Sequence, residues 1–451
     1  MTERGSGLFP TSEMSAIFSD LSFVQRMLDV EAALAQAEAR IGVIPQASAD
    51  AIAAACRADR FDTAALFNET TTTGTPVIPL VRTLTELVPA IARPHVHWGA
   101  TSQDIADTAL VLQIRDGLDL VTRRLGAIAA RCAALADRYR HTPMAGRTLT
   151  QHAVPITFGL KAARWLAQTT RLIRKLRGLR QDALVVQFGG AAGTLAALED
   201  RGVRIMEALA QELHLASPAL PWHTERDRIV EVASALGIVA TAMGKVGTDL
   251  ALLAQTEVGE VAVASTGGGS STMPHKHNPV EAAAAIASAR LAIGCVPIVL
   301  SASIQEHERA VGGWQTEAHA ITDVFSFTGA AVEWVSRALK GLQVDVDRMR
   351  RNLDLTSGLI MAEALTMALA PTLGRTEAYR IVQRLADQST QTKIHLRELA
   401  AADNQVQSVL PPDAIAKVFD VTSYAGSTNA LIDRALADYR ALGKEYDQNP
   451  R

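Results

Sequence analysis

Residues 111–121 read Val-Leu-Gln-Ile-Arg-Asp-Gly-Leu-Asp-Leu-Val, and their spacing decides the class of fold. Val111, Ile114, Leu118 and Val121 recur in steps of three and four, the interval at which side chains return to one face of an α-helix. The rhythm runs on through Leu125, Ile128, Cys132 and Leu135, and no proline stands between Pro94 and Pro143. The spacing predicts a helix of about eight or nine turns.

The same rhythm returns in Ile229, Val232, Leu236, Val239, Met243, Val246, Leu250 and Leu253, and again in Phe325, Thr328, Val332, Val335, Leu339 and Leu342. Apolar and small residues dominate 155–186 and 280–304 as well. Five long segments joined by polar loops predict an all-α chain with a central helical bundle. Its length and apolar content imply further faces buried against identical subunits. The stripes themselves are core, and repeats of this kind alone would serve an inert scaffold equally well. Upstream, a helix capped by Ser22 carries Phe23, Met27, Val30, Leu34, Ala37 and Ile41 and ends at Gly42 and Pro45; shorter pieces follow near 48–56 and 75–92. Beyond 346 the helices shorten, near 357–370, 375–388, 391–401 and 427–442. Three domains are expected, 1–103, 104–345 and 346–451.

Composition narrows the function. Of 451 residues 48% are hydrophobic and only 4% aromatic, so the cores are Ala, Leu, Val and Ile; formal net charge is −3, with both signs interspersed. No basic stripe marks a nucleic-acid or membrane-surface partner. Cys56, Cys132 and Cys295 are widely separated in apolar segments, which suits neither disulfides nor a metal knuckle. His95 and His97 lack a third ligand at useful spacing, so no metal is expected. No Gly-x-Gly-x-x-Gly follows a strand and no Walker loop occurs, so no nucleotide cofactor is expected either. The first residues do not read as a leader, and no window holds eighteen uninterrupted apolar residues; a soluble, unexported, cytoplasmic protein is expected.

Chemistry gathers in the loops at the ends of the long helices. Residues 266–279 read Thr-Gly-Gly-Gly-Ser-Ser-Thr-Met-Pro-His-Lys-His-Asn-Pro: a mobile backbone delivering hydroxyls, an ammonium and a carboxamide, suited to a small anion. His97, Thr101 and Ser102 precede the first long helix, whose free amides make a carboxylate cradle; the plainer reading of Ser102 and Asp104 is capping. Arg147 and Gln151 can hold carboxylate or carbonyl oxygens, whereas His152 reads as structural. Arg226 and Arg309 are further anion contacts, each with an ion pair or cap as its plainer reading. With Lys276, these cations point to a polycarboxylate. No Ser-His-Asp order, supported acidic dyad or cysteine nucleophile suggests a hydrolase.

Three stretches together resemble the signatures of the fumarase/aspartase superfamily, nearly spanning the chain: Thr101-Ser102 after His97-x-Gly99, Gly146-Arg147-Thr148 with Gln151, and Gly-Ser-Ser-x-Met-Pro-x-Lys-x-Asn-Pro at 269–279. The resemblance implies three mostly helical domains and a homotetramer around a twenty-helix core, with each active site gathered from three subunits. It also implies chemistry at the carbon beside a carboxylate, through a dianionic aci-carboxylate, with Ser270 at the general base position and Lys276 and Asn278 holding the substrate carboxylate.

Two departures narrow the resemblance. Most members follow Gly-Arg-Thr with a His that pairs with a Glu five residues after the signature Asn; here those positions are Leu149 and Ala283, and Glu281 would point to another side of its helix. Joint loss of that pair is similar to the bacterial 3-carboxy-cis,cis-muconate cycloisomerases, as are Pro221-Trp222-His223, Glu306–Arg309 through Gly313-Trp314-Gln315, and Gly374-Arg375-Thr376-Glu377-Ala378-Tyr379. That resemblance implies lactonisation of a muconate tricarboxylate to 4-carboxymuconolactone in protocatechuate breakdown by the β-ketoadipate pathway. The alternatives are an adenylosuccinate-lyase-type elimination, a cycloisomerase for another substituted muconate, and a catalytically silent homologue.

Overall fold

In the computed structural model, residues 8–9, 11–263 and 268–448 are described, without the side chains of 444–448. The elements that position the site follow in chain order: α1 (Asp20–Ile41), α2 (Gln46–Ala55), α3 (Ser102–Arg138), β1 (Pro143–Thr148), β2 (Gln151–Thr157), α4 (Phe158–Ala183), α5 (Gly202–Leu213), α6 (Asp227–Ala254), β3 (Val261–Val263), α7 (Val280–Ala302), α8 (Gly313–Lys340), β4 (Leu342–Val344), α9 (Ala362–Leu373), α10 (Arg375–Thr392) and α11 (Thr428–Gln448). The long periodic segments are helical over most of their length, with Leu342 at the end of the last stripe falling in β4 and 155–157 in β2, and α3 runs for 37 residues. Helix α1 starts earlier than its apolar stripe suggests, because the Ser19 hydroxyl accepts the Ser22 N–H and so caps a turn that carries no stripe residue; Gly42, at φ 79°, ends it.

The chain forms two compact units, the first from residues up to Arg124, Leu172–Lys245 and Ala284–Trp334, the second from Leu125–Arg171, Val246–Ala283 and Val335 onward. In the first, α1 lays Val24, Met27, Leu28 and Leu34 into one core with Ile52, Leu80, Ile105, Leu112, Phe188 and Leu209. Helix α3 meets α8 closely at Gly117, where a Cβ would come within 2.7 Å of the Phe325 ring, so a side chain there would force the two apart.

The second unit holds the departure from a purely helical reading. Strands β1 and β2 pair antiparallel, with Arg147 opposite His152 and Thr148 opposite Gln151. The turn between them, Leu149-Thr150, takes φ values of 49° and 64°, the conformation of a two-residue hairpin turn that Gly and Asn ordinarily fill. Without those residues the hairpin left no mark in the pattern. Strands β3 and β4 pair through Val261 and Val344. Leu365, Leu369, Ile381, Leu385, Leu396 and Ile415 form the core of the shorter C-terminal helices.

Helices α6 and α7 are long and apolar enough to cross a bilayer by length and composition, but 61% of the apolar window of α6 is buried against 33% for α7. Leu291, Ile293, Ile298 and Leu300 of α7 are exposed, an apolar surface that asks for a covering partner.

One buried charge site has no compensation. Glu38 on α1 is 1% exposed, and neither carboxyl oxygen meets a donor among the described residues. Burial, then the nearby Glu31, push its pKa up to about 9. Because the folded value lies above the unfolded one, the linked stability is full below the ordinary carboxyl range and is lost as pH rises toward 9. Holding the group protonated at pH 7 costs about 3 kcal/mol on that footing. Glu38→Gln should therefore raise the urea midpoint at pH 8 clearly more than at pH 5; an equal change at both pH values would show that Glu38 does not titrate with folding.

Candidate active site

In the first unit the N-terminus of α3 is anchored by one carboxylate. Asp104 accepts the backbone N–H groups of Thr101 at 3.0 Å, Gly189 at 2.9 Å and Gly190 at 2.9 Å. His223 Nε2 lies 2.7 Å from the same carboxylate, which can only accept, so that nitrogen carries the proton. Asp104 thus closes the first turn and holds two other loops to it. The Thr101 and Ser102 side chains stay half-buried at the helix N-terminus, where free amides favour an anion. His97 lies just before them, its Nδ1 2.6 Å from Glu31 Oε1.

Arg226 is fully buried, which departs from the substrate contact expected of it. Its Nε and Nη2 donate to Glu317 at 3.0 and 2.6 Å, its Nη1 and Nη2 to Asp107 at 2.7 and 3.0 Å, and its Nη1 also to the Trp222 carbonyl. All five guanidinium hydrogens are used, and the Trp222 ring lies 4.7 Å from the guanidinium carbon. None is left for a ligand, so Arg226 is corrected to a positioning residue. Burial would lower its pKa, but the two carboxylates outweigh that and raise it. Gln103 extends the network: its amide donates to Asp107 and to the His223 carbonyl, and its oxygen accepts from Arg309 Nη1 at 3.0 Å. Arg309 also donates to the Ala191 carbonyl. Its partners are neutral; of Glu306 and Glu308, the ion-pair partners of its plainer reading, Glu306 accepts the Val311 N–H instead.

In the second unit the hairpin presents the other cluster. Arg147 forms a two-pronged pair with Glu260, at 3.0 and 2.7 Å, and Asn352 donates to the same carboxylate. Glu260 is wholly buried, so it fixes the guanidinium and offsets its charge. Gln151 is exposed beside it, and Leu149 at the turn is 96% exposed. His152 keeps a buried Nδ1 without a partner among the described residues; burial first, then Arg147, lower its pKa and favour the neutral ring.

The glycine-rich loop belongs to the same unit; Thr266 and Gly267 lie outside the described residues. Gly268 has φ 90°, and a Cβ there would meet the Asn278 carbonyl at 2.5 Å, so only glycine closes the loop. The Asn278 N–H donates to the Gly268 carbonyl, and Gly269 bridges to His277. Within this closure Ser270 Oγ accepts the N–H groups of Met273 at 3.0 Å and Thr272 at 3.3 Å. Two amides aimed at one hydroxyl oxygen favour its alkoxide. Lys276 is exposed and Asn278 half-buried.

A family model described as Lyase matches residues 7–294, and one described as Adenylosuccinate lyase C-terminus matches 358–435. The chain is 47% identical to the 3-carboxy-cis,cis-muconate cycloisomerase of Bradyrhizobium diazoefficiens over 95% of its own length and 96% of the relative's. It is 46% identical to the protein of that name from Pseudomonas aeruginosa, over 97% and 96%. The crystal structure of 3-carboxy-cis,cis-muconate lactonizing enzyme from Pseudomonas putida superposes with a TM-score of 0.93 at 42% identity, over 98% of this chain and 100% of that one. This chain belongs to the fumarase/aspartase lyase superfamily.

For a superfamily member, the structure divides the candidate residues between the units: His97, Thr101, Ser102, Arg226 and Arg309 in the first, and Arg147, Gln151, Ser270, Lys276 and Asn278 in the second. Sequence reasoning missed the carboxylates and amides that hold them: Glu31, Asp107, Glu260, Glu317, Gln103 and Asn352. Each is distant in sequence from the residue it holds, and only the fold pairs them. Arg226→Met would leave Asp107 and Glu317 buried without their cation and should cost about 3–5 kcal/mol, read as a loss of urea midpoint; a change under 1 kcal/mol would contradict the pairing.

Proposed function

We propose that this chain is a 3-carboxy-cis,cis-muconate cycloisomerase, lactonising a muconate tricarboxylate to 4-carboxymuconolactone in protocatechuate breakdown. The reading is carried by relatives of that name matching nearly the whole chain at more than two-fifths identity. The described geometry suits the chemistry. In the lactonising direction one substrate carboxylate forms a C–O bond to an alkene carbon, and the π pair moves into the carboxylate on the neighbouring carbon, giving the aci-carboxylate. Ser270 Oγ–H then gives its proton to that neighbouring carbon, and in reverse the alkoxide removes it. The Thr272 and Met273 amides stabilise the alkoxide in either direction. Lys276 and Asn278 hold the carboxylate that receives the electrons, and Thr101, Ser102, Gln151, Arg147, His97 and Arg309 are assigned to the remaining oxygens. A carboxylate already leaves well at neutral pH, which gives a physical reason for Leu149 and Ala283 to stand where other members carry His and Glu.

The assembly proposed is a soluble, cytoplasmic homotetramer in which three subunits contribute to each site, with the apolar face of α7 covered by another copy. The chain is assigned no cofactor and neither a nucleic-acid nor a membrane partner. The three-domain division at 103 and 345 is retained as part of this reading.

An ultraviolet assay following loss of the muconate diene, run beside adenylosuccinate cleavage, should show turnover on 3-carboxy-cis,cis-muconate alone. Ser270→Ala should lower kcat by about 10²-fold or more, and wild-type turnover would refute its role. Leu149→His with Ala283→Glu should bring no gain in cycloisomerase turnover; a large gain would refute the account of the missing pair.

A further inference from the structure

The chain lacks one His–Glu pair of its superfamily, yet the first unit contains another imidazole–carboxylate pair that spacing concealed. Glu31, on α1, and His97, before α3, stand 66 residues apart and meet at 2.6 Å through Nδ1. Glu31 is 1% exposed, while the His97 side chain is 18% exposed. The carboxylate can only accept, so Nδ1 carries a proton and Nε2 is the ring's remaining polar atom, without a partner among the described residues. The backbone reinforces the placement: His97 sits at φ 57° and Gly99 at φ 70°. For a residue other than glycine that conformation is uncommon and persists where the surroundings impose it.

We propose that Glu31 is a positioning residue that clamps the His97 ring, leaving Nε2 to bind a carboxylate of the substrate beside Thr101 and Ser102. The inference rests on the cycloisomerase reading and extends it to a pair that stabilises substrate charge. The groups facing His97 are Glu31 from α1 and Asp104 from α3. Behind Glu31 lie Glu38 on the same helix and the buried Cys56 thiol at the end of α2, both raised by burial and by Glu31. Burial would lower the His97 pKa, but Glu31, by charge and hydrogen bond, and then Asp104 carry it above the ordinary imidazole value. The imidazolium so favoured has two N–H donors, one for Glu31 and one for the ligand.

The test compares the full-length protein with Glu31→Gln and Glu31→Asp. The pH dependence of His97 carbethoxylation by diethyl pyrocarbonate, read by peptide mass mapping, reports the ring without reference to turnover. The wild-type midpoint should lie above the ordinary histidine range, fall by about one pH unit or more in Glu31→Gln, and recover at least half of that in Glu31→Asp. With 3-carboxy-cis,cis-muconate, Glu31→Gln should raise KM by about tenfold with a smaller change in kcat, and the alkaline limb of kcat/KM should move to lower pH with the midpoint. Equal midpoints in wild type and Glu31→Gln would overturn the clamp, as would an unchanged KM and limb in an active Glu31→Gln. A shifted midpoint in a protein that turns over no muconate would support the clamp while overturning the cycloisomerase reading.

Discussion

A guanidinium taken wholly out of water is tolerable only when every hydrogen is used and its charge is met, and Arg226 meets both conditions. Asp107 of α3 and Glu317 of α8 supply the charge, and the Trp222 ring covers one face. Breaking such a cluster strands charge, whereas the intact cluster allows little movement. The start of α6 is therefore tied to α3 and α8 at one point. Gln103 passes that constraint to Arg309 and to the His223 loop, and Asp104, one residue on, collects three backbone amides and the His223 ring. The orientation of the Thr101-Ser102 turn follows from these bonds.

The second unit reaches rigidity by another route, through the backbone. Leu149 and Thr150 occupy left-handed conformations, and Gly268 closes its loop at a distance no Cβ would allow. Strain at such positions must be offset elsewhere, and the Arg147–Glu260–Asn352 cluster beside the hairpin turn supplies the restraint. The consequence is a nearly fully exposed leucine held at a turn tip, and a serine whose oxygen faces two amides.

What could be read from the sequence follows from which forces act locally. Helical periodicity records burial of one face, so α3, α6 and α8 were legible from Val111, Ile229 and Phe325 onward, though α8 starts twelve residues before its stripe because Gly313–Asp323 is largely polar. The hairpin was not legible, since Leu149-Thr150 lacks the glycine or asparagine that would announce its turn. Superfamily membership was legible because Ser270, Lys276 and Asn278 fall within eleven consecutive residues. The partners of the cationic residues were not: Glu31 lies 66 residues from His97, and Glu260 lies 113 from Arg147. Arg226 was misread as a ligand contact because an arginine at a helix start looks the same whether its carboxylates come from a substrate or from α3 and α8.

Those pairings change how a polyanion would be recognised. An arginine already matched by a buried carboxylate adds geometry but little net attraction, so under the proposed function Arg147 would serve as a fixed donor, and Arg226, fully matched, only as a brace. Arg309, held by neutral oxygens, and Lys276, exposed and without an ion pair among the described residues, keep their charge available. The helix N-terminus at Thr101-Ser102 adds partial charge, part of which Asp104 in its first turn already meets. In the proposed reaction the charge that matters is the second negative charge of the aci-carboxylate, which exists only after the C–O bond forms. Cations neutralised in advance could not answer it; Lys276, in the loop that also carries Ser270, can.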